Sequence, residues 1–239
     1  MKNTKLFAAL CCTAVLFAAC EQDKTSDPVT DTTVNKVTID GVTVSGSIAS
    51  HDYVDLGLSV KWATCNLDAT KPEEFGNYYA WGETASDSVY SWDAYKYGTD
   101  FDALTKYCNN SSYGTVDNLT TLEAADDAAT ANWGSEWRMP TIDEWKELIS
   151  DCTWKWVSLN EIDGYEVKSS KNGNTLFLPA ASCRRAEDLG FPSAHGCYWS
   201  SSLGTDNPSG AQSVFFYSGD HYTGNSSRCY LQTIRPVSK

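Results

Sequence analysis

The segment from Trp133 to Ile149 constrains the fold more than any other stretch of the chain. Pro140 bars a helix immediately before it, because a proline pushes the preceding residue to extended geometry. Thr141 then stands at an N-cap position, and Glu144 lies three residues on. That is the spacing of a capping box, in which each side chain satisfies an orphan N–H of the first turn. Asp143 and Glu144 suit the positive end of the helix dipole. Ile142, Trp145, Leu148 and Ile149 recur at helical spacing, so the sequence predicts a helix of about three turns with one apolar stripe. Trp133, Trp137 and Trp145 read as core around that helix. Arg138 reads as an anchor for a buried carboxylate or for backbone carbonyls, and Arg235, before Pro236, reads the same way.

The remaining periodicities are mostly those of short strands. Residues 36–46 alternate around Asp40-Gly41 and predict a hairpin or an edge strand with a turn. Residues 53–66 predict one strand with Val54, Leu56, Leu58, Val60 and Trp62 on a single face. A loop-rich region over 84–119 carries Tyr90, Trp92, Tyr95, Tyr97 and Tyr107 as aromatic pins. Residues 121–131 are helix-forming by composition. Within them Glu123, Asp126 and Asp127 offer oxygens to calcium, but no ligand-loop spacing accompanies them and they read as a solvated helix face. Strands follow at 153–157, 165–168 and 175–178, split by turn signals at Asp163-Gly164 and Asn172-Gly173. Residues 197–202, 213–217 and 230–237 read as the last three strands, joined by Gly-, Asn- and Ser-rich turns. Two helices among many short strands make an α+β chain.

The chain starts with a targeting segment. Lys2 and Lys5 precede an apolar run, Leu6 to Phe17, that is too short for a stable membrane span. The sequence Leu16-Phe17-Ala18-Ala19-Cys20 resembles a lipobox, which implies that residues 1–19 are a lipoprotein signal peptide and that Cys20 is lipidated; an ordinary secretory signal cut nearby is the alternative. Residues 20–36 are rich in Asp, Thr, Ser and Lys and read as a flexible linker. Glu21 and Asp23 resemble the acidic export tag of surface-exposed lipoproteins. Residues 37–50 then form a short strand or hairpin, and residues 51–239 the main domain. Loss of residues 1–19 leaves 16 basic against 31 acidic residues, a formal charge of −15. Such a surface repels phosphate backbones, so no nucleic-acid partner is expected. Six cysteines remain beyond Cys20: Cys65, Cys108, Cys152, Cys183, Cys197 and Cys229. An even number in an exported chain suggests disulfides, with fifteen full pairings open, and no zinc-site spacing occurs.

Several stretches taken in order resemble a family of Bacteroidetes exported proteins that carry the Fibrobacter major paralogous domain. They are YVDLGLSVKWATCN (53–66), YYAWGE (78–83), LTKYC (104–108), the LE…DDAA segment (122–129), W-R-M-P-T-x-x-E-W (137–145), NGNTLFLPAA (172–181), YWSSS (198–202) and I-R-P-V (234–237). The R-M-P-T-x-x-E-W block is also similar to a segment of formylglycine-generating enzymes. The resemblance implies a C-type-lectin-like fold: a twisted, mostly antiparallel sheet with two helices and long loops.

Fold does not give function. The resemblance to formylglycine-generating enzymes would require their copper-binding cysteine pair, whose members sit close together. Cys197 and Cys229 lie far apart and lack the flanking motif. His51, His195 and His221 stand in no nucleophile or metal motif, and the Glu-Pro-Asn and Trp-Asn-Asp triplets of calcium-dependent lectins are absent. The expectation is therefore a binding protein without catalytic residues, metal or cofactor. Its tail has paratope composition, with Tyr for contact area and Ser, Gly and Asn for adaptable hydrogen bonds. The expected contact residues are Tyr198, Tyr217, Ser218, Asp220, His221, Tyr222, Asn225, Ser226, Ser227, Tyr230 and Gln232. The tail is also similar to that of C-type-lectin-like proteins diversified by retroelements, which would make Cys197 and Cys229 variable positions. Turn formation alone is the plainer reading of the same residues. The sequence thus points to an outer-membrane, surface-exposed lipoprotein that holds a protein or glycan ligand, or to a structural or adhesin component of fixed specificity.

Overall fold

A computed structural model describes residues 37–39, 41–86, 91–185, 188–189 and 194–239. The signal peptide, the linker, Cys20 and Tyr90 lie outside the described residues. The chain is α+β, with mostly antiparallel sheets and two α-helices among the described residues.

The first hairpin forms as its alternation predicts. β1 (Val37–Ile39) pairs with β2 (Val42–Val44), and Gly41 at φ +84° supplies the left-handed turn. Residues 37–50 are not a separate appendage. β3 (Gly46–Ile48) pairs with β4 (His51–Val54), which pairs with β5 (Lys61–Ala63). The single strand expected over 53–66 is therefore two strands. Asp55 accepts the Gly57 N–H at 2.8 Å, and Gly57, at φ +69°, breaks the run. Val54, Leu56, Val60 and Trp62 still reach the core, because the turn returns both strands to the same side.

The acidic stretch departs from expectation. A 3-10 turn over Ala124–Asp126 precedes α1 (Ala128–Trp133), and Asp127 restarts the helix by accepting the Thr130 N–H at 3.0 Å. Asp126 and Asp127 are both buried, so the solvated-face reading fails. Asp126 accepts Lys96 at 3.1 Å, Lys106 at 2.6 Å and the Tyr107 hydroxyl at 2.7 Å, and also the Tyr97 hydroxyl. Burial opposes its charge, but the bonds from Lys106, Tyr97, Tyr107 and Lys96 outweigh it and hold the carboxyl well below the usual range. Two ammonium groups already occupy the place a cation would take.

Helix α2 (Ile142–Asp151) starts where the sequence puts it. Thr141 accepts the Glu144 N–H at 3.3 Å, and the Thr141 N–H donates to Glu144 at 2.8 Å. Arg138 donates to both Glu144 oxygens, fixing the capping carboxylate from outside the helix. Ile142, Trp145 and Leu148 are buried and Ile149 packs beside them. The helix runs straight into a meander of β6 (Cys152–Leu159), β7 (Ile162–Ser169) and β8 (Thr175–Pro179). Its first turn is not Asp163-Gly164. Asn160 and Glu161 take φ of +47° and +68°, the pair of left-handed residues that a two-residue hairpin needs. Gly164 lies inside β7 instead, where a Cβ would come within 2.3 Å of the Leu178 carbonyl oxygen. Glycine there marks close backbone approach rather than a turn.

β9 (Cys183–Arg185) and β10 (Asp188–Leu189) form a small antiparallel pair. The central sheet follows: β11 (His195–Leu203), β12 (Gly210–Tyr217) and β13 (Asp220–Ser227), in that order. β13 was expected to be a loop, and the strand expected over 230–237 is two fragments. β14 (Leu231–Gln232) joins β9, while β15 (Val237–Ser238) joins β5. Successive residues of a strand face opposite ways. Tyr198 enters the core with Trp145 and Phe216, and Trp199 enters the one with Tyr79 and Trp81. Both are fully buried, so β11 is covered on both faces. The indoles are satisfied as they go under: Trp81 donates to Ser200 O at 2.8 Å, Trp199 to Tyr79 O at 2.8 Å and Trp145 to Trp199 O at 3.3 Å.

Candidate functional site

The register of the central sheet sorts the tail residues onto two faces. Phe215 lies opposite Tyr222, and Tyr217 lies opposite Asp220 on β13 and His195 on β11. Directly opposed residues share a face, so these five form one group. Tyr217 is 41% exposed and Tyr222 49% exposed, large values for such side chains. The Tyr222 ring packs on Phe215 with centroids 5.6 Å apart and planes 27° apart, and His195 lies 6.1 Å from Tyr217. Ser218 is exposed in the turn between the strands. Among the described residues β13 pairs only with β12, so this face ends at a sheet edge.

His221 lies on the opposite face with Asn225. Its ring stacks on Trp154 at 4.6 Å and 7°, and burial lowers its pKa below that of a free imidazole. Asn225 is exposed, and Ser227 contacts the Cys229 thiol at 3.3 Å. Tyr230 packs partly buried against the core.

Three expected contact residues are corrected to framework positions. Tyr198 is fully buried; its hydroxyl donates to Pro179 O at 2.8 Å and accepts from Asn66 at 3.2 Å. Gln232 is fully buried between β9 and the Tyr79 backbone, and Ser226 is buried opposite Ala211. A residue without accessible surface cannot touch a macromolecular ligand. The exposed His195 and the half-buried Phe215 share this face although the tail's polar composition did not single them out. The strand period carries the missing signal, since Phe215 stands two residues from Tyr217.

The cysteines also depart from expectation. Cys65, Cys108, Cys152 and Cys229 carry free thiols. Cys65, Cys108 and Cys229 have local partners in Thr64, the Asn110 carbonyl and Ser227, and burial pushes the Cys152 thiol up to about 11. Comparison with protein-family models, with curated proteins and with solved structures found no match to this chain.

Proposed function

We propose that this chain is a surface-anchored lipoprotein of C-type-lectin-like fold that binds a protein or glycan ligand through the outer face of β12 and β13. The supporting observation is the exposed rings of Tyr217 and Tyr222 at a sheet edge, the second packed on the half-buried Phe215. Soluble proteins rarely leave such rings in water without a partner, and tyrosine gives contact area at small entropic cost. The reading is of a binder rather than an enzyme. His51 and His221 are each stacked on a tryptophan, in different parts of the fold. No helix among the described residues is long and apolar enough to cross a membrane, which suits attachment through lipid on Cys20. Palmitate labelling that disappears in Cys20→Ser is the expected result for the anchor.

The double variant Tyr217→Ala/Tyr222→Ala is expected to lose at least about a hundredfold in affinity for whatever glycan or protein the wild-type chain captures on an array. Both rings are surface groups, so its melting temperature should stay within roughly 3 °C of wild type. Undiminished capture would move the site elsewhere. Any retroelement diversification would fall on Tyr217, Ser218, Asp220, Tyr222 and Asn225. A near-copy of the 197–235 coding segment, differing at adenines beside a reverse transcriptase gene, would reveal it. Burial of Tyr198, Ser226 and Gln232 favours the second reading, a fixed-specificity adhesin or envelope component, for the rest of the tail.

A further inference from the structure

Away from the β12–β13 face, two cavities of about 320 Å³ each adjoin one another and share Asp52, Thr64, Cys65 and Thr70. They form one trench whose residues come mainly from β2, β4 and the loop after β5, with Trp133 of α1 and Asn160 of the β6–β7 turn at its ends. None of its lining belongs to the central sheet. Each cavity falls in the size range of ligand pockets, roughly 300–1,000 Å³.

The two ends differ in chemistry. At one end the His51 ring lies on the Trp133 indole, centroids 3.7 Å apart and planes 8° apart, with Trp137 edge-on at 5.4 Å from Trp133. Burial lowers the His51 pKa, which favours the neutral ring in this wall, against the nearby carboxylates of Asp52 and Asp68. At the other end Val44 and Pro72 present apolar surface over the buried Val42, beside Asn160, whose amide is fixed to Glu73 at 2.9 Å. Between the ends the lining is polar. Asp52 accepts the Ser47 hydroxyl on Oδ1 and takes no hydrogen bond on Oδ2 from the described residues. Thr64 and Thr70 add hydroxyls.

Ala49 and Ser50 take φ of +47° and +68°, the two-residue hairpin geometry also seen at Asn160 and Glu161, and this turn delivers His51 to the trench.

We propose that this trench is a second ligand site and that it takes a short neutral oligosaccharide. Sugar hydroxyls donate to a carboxylate and exchange hydrogen bonds with threonine hydroxyls, while the C–H faces of the rings pack on the aromatic wall and on Val44 and Pro72. An anion meets Asp52 and Glu73 against the single ammonium of Lys71 in the lining, and the chain's net charge of −13 disfavours it further. A lipid tail would strip water from Asp52 and both threonines without replacing their hydrogen bonds.

Cys65 makes the test direct. It lines both cavities and is the one partly exposed thiol among the four free ones described above. The full-length protein is titrated calorimetrically with maltohexaose, cellohexaose, laminarihexaose and mannohexaose, and alkylation of Cys65 by N-ethylmaleimide is followed with and without each sugar. One sugar is expected to bind and to slow Cys65 alkylation at least fivefold. Asp52→Asn and Trp133→Ala should each weaken that binding at least tenfold, and Tyr217→Ala/Tyr222→Ala should leave it unchanged. Thr70→Val, an exposed position that can be changed without emptying the core, should weaken it as well should Trp133→Ala disturb α1. The proposal is overturned if none of the four sugars binds or protects Cys65. It is equally overturned if binding survives the Asp52 and Thr70 changes, if it is lost with the tyrosines instead, or if extended peptides protect Cys65 where sugars do not.

Discussion

Arg235→Met should destabilise the protein by about 4 kcal/mol, lowering its melting temperature by roughly 8–16 °C. Arg235 is fully buried and faces no carboxylate. Its guanidinium instead donates to Asn66 Oδ1 at 2.8 Å, Ala63 O at 3.0 Å, Thr64 O at 2.8 Å and Phe177 O at 3.0 Å. Burial lowers its pKa, but a guanidinium keeps its proton in proteins, so the charge stays and the four oxygens carry it. Methionine fills much of the volume but leaves four buried acceptors without donors, each costing about 1–3 kcal/mol before relaxation. Arg235→Lys should recover only part of the loss, because a point ammonium cannot reproduce the planar fork. Thermal and urea unfolding of both variants measure this. A loss under about 1 kcal/mol for the methionine variant would show that water or backbone movement satisfies those carbonyls.

Arg228→Ala should cost a similar amount, about 3–5 kcal/mol, but its damage should be local. Arg228 is fully buried just after β13. It donates to Tyr95 Oη at 2.9 Å, Lys106 O at 3.0 Å, Tyr107 O at 3.1 Å and Pro208 O at 3.0 Å, and lies 5.0 Å above the Trp81 ring centroid. The segment from Trp92 to Leu119 has one 3-10 turn and no strand of its own. This arginine, the Asp126 cluster and the buried rings of Tyr95, Tyr97 and Tyr107 hold it in place. Amide hydrogen exchange should therefore rise first at residues 92–119 in Arg228→Ala, while the β6–β7–β8 meander keeps its protection. Uniform acceleration across the chain would mean that the loop and the sheets unfold as one unit.

What the sequence made legible was local. Thr141 and Glu144 sit three residues apart, so the capping box needs no tertiary information, and the same holds for the turn at Gly41 and the Asn172-Gly173 turn. Gly164 misled because glycine has two uses, and only the approach of Leu178 from a neighbouring strand decides between them. The contact residues were half legible for a related reason. Tyr and Ser in a tail look alike whether they face water or core. Tyr217 and Tyr222 differ from Tyr198 only in which face of the central sheet they take and what covers it. The trench was not legible, since its walls come from residues 42–73, 133 and 160 and meet only in the folded chain.

The pairing of β5 with β15 has a consequence for how the molecule is made. Trp62 lies opposite Val237, Arg138 bridges to Val237 at 2.9 Å, and Arg235 grips the carbonyls of Ala63 and Thr64. A polypeptide delivered from its N-terminus, by ribosome or by translocation pore, presents residues 61–64 about 170 residues before the partners that seal them. Until Val237 is through, Trp62 and the Asn66 amide lack their cover, and the body stays open to chaperones and able to thread. Delivery of the final strand is thus the step that commits the chain to its native state, and a nascent protein stalled short of residue 235 should remain protease-sensitive throughout.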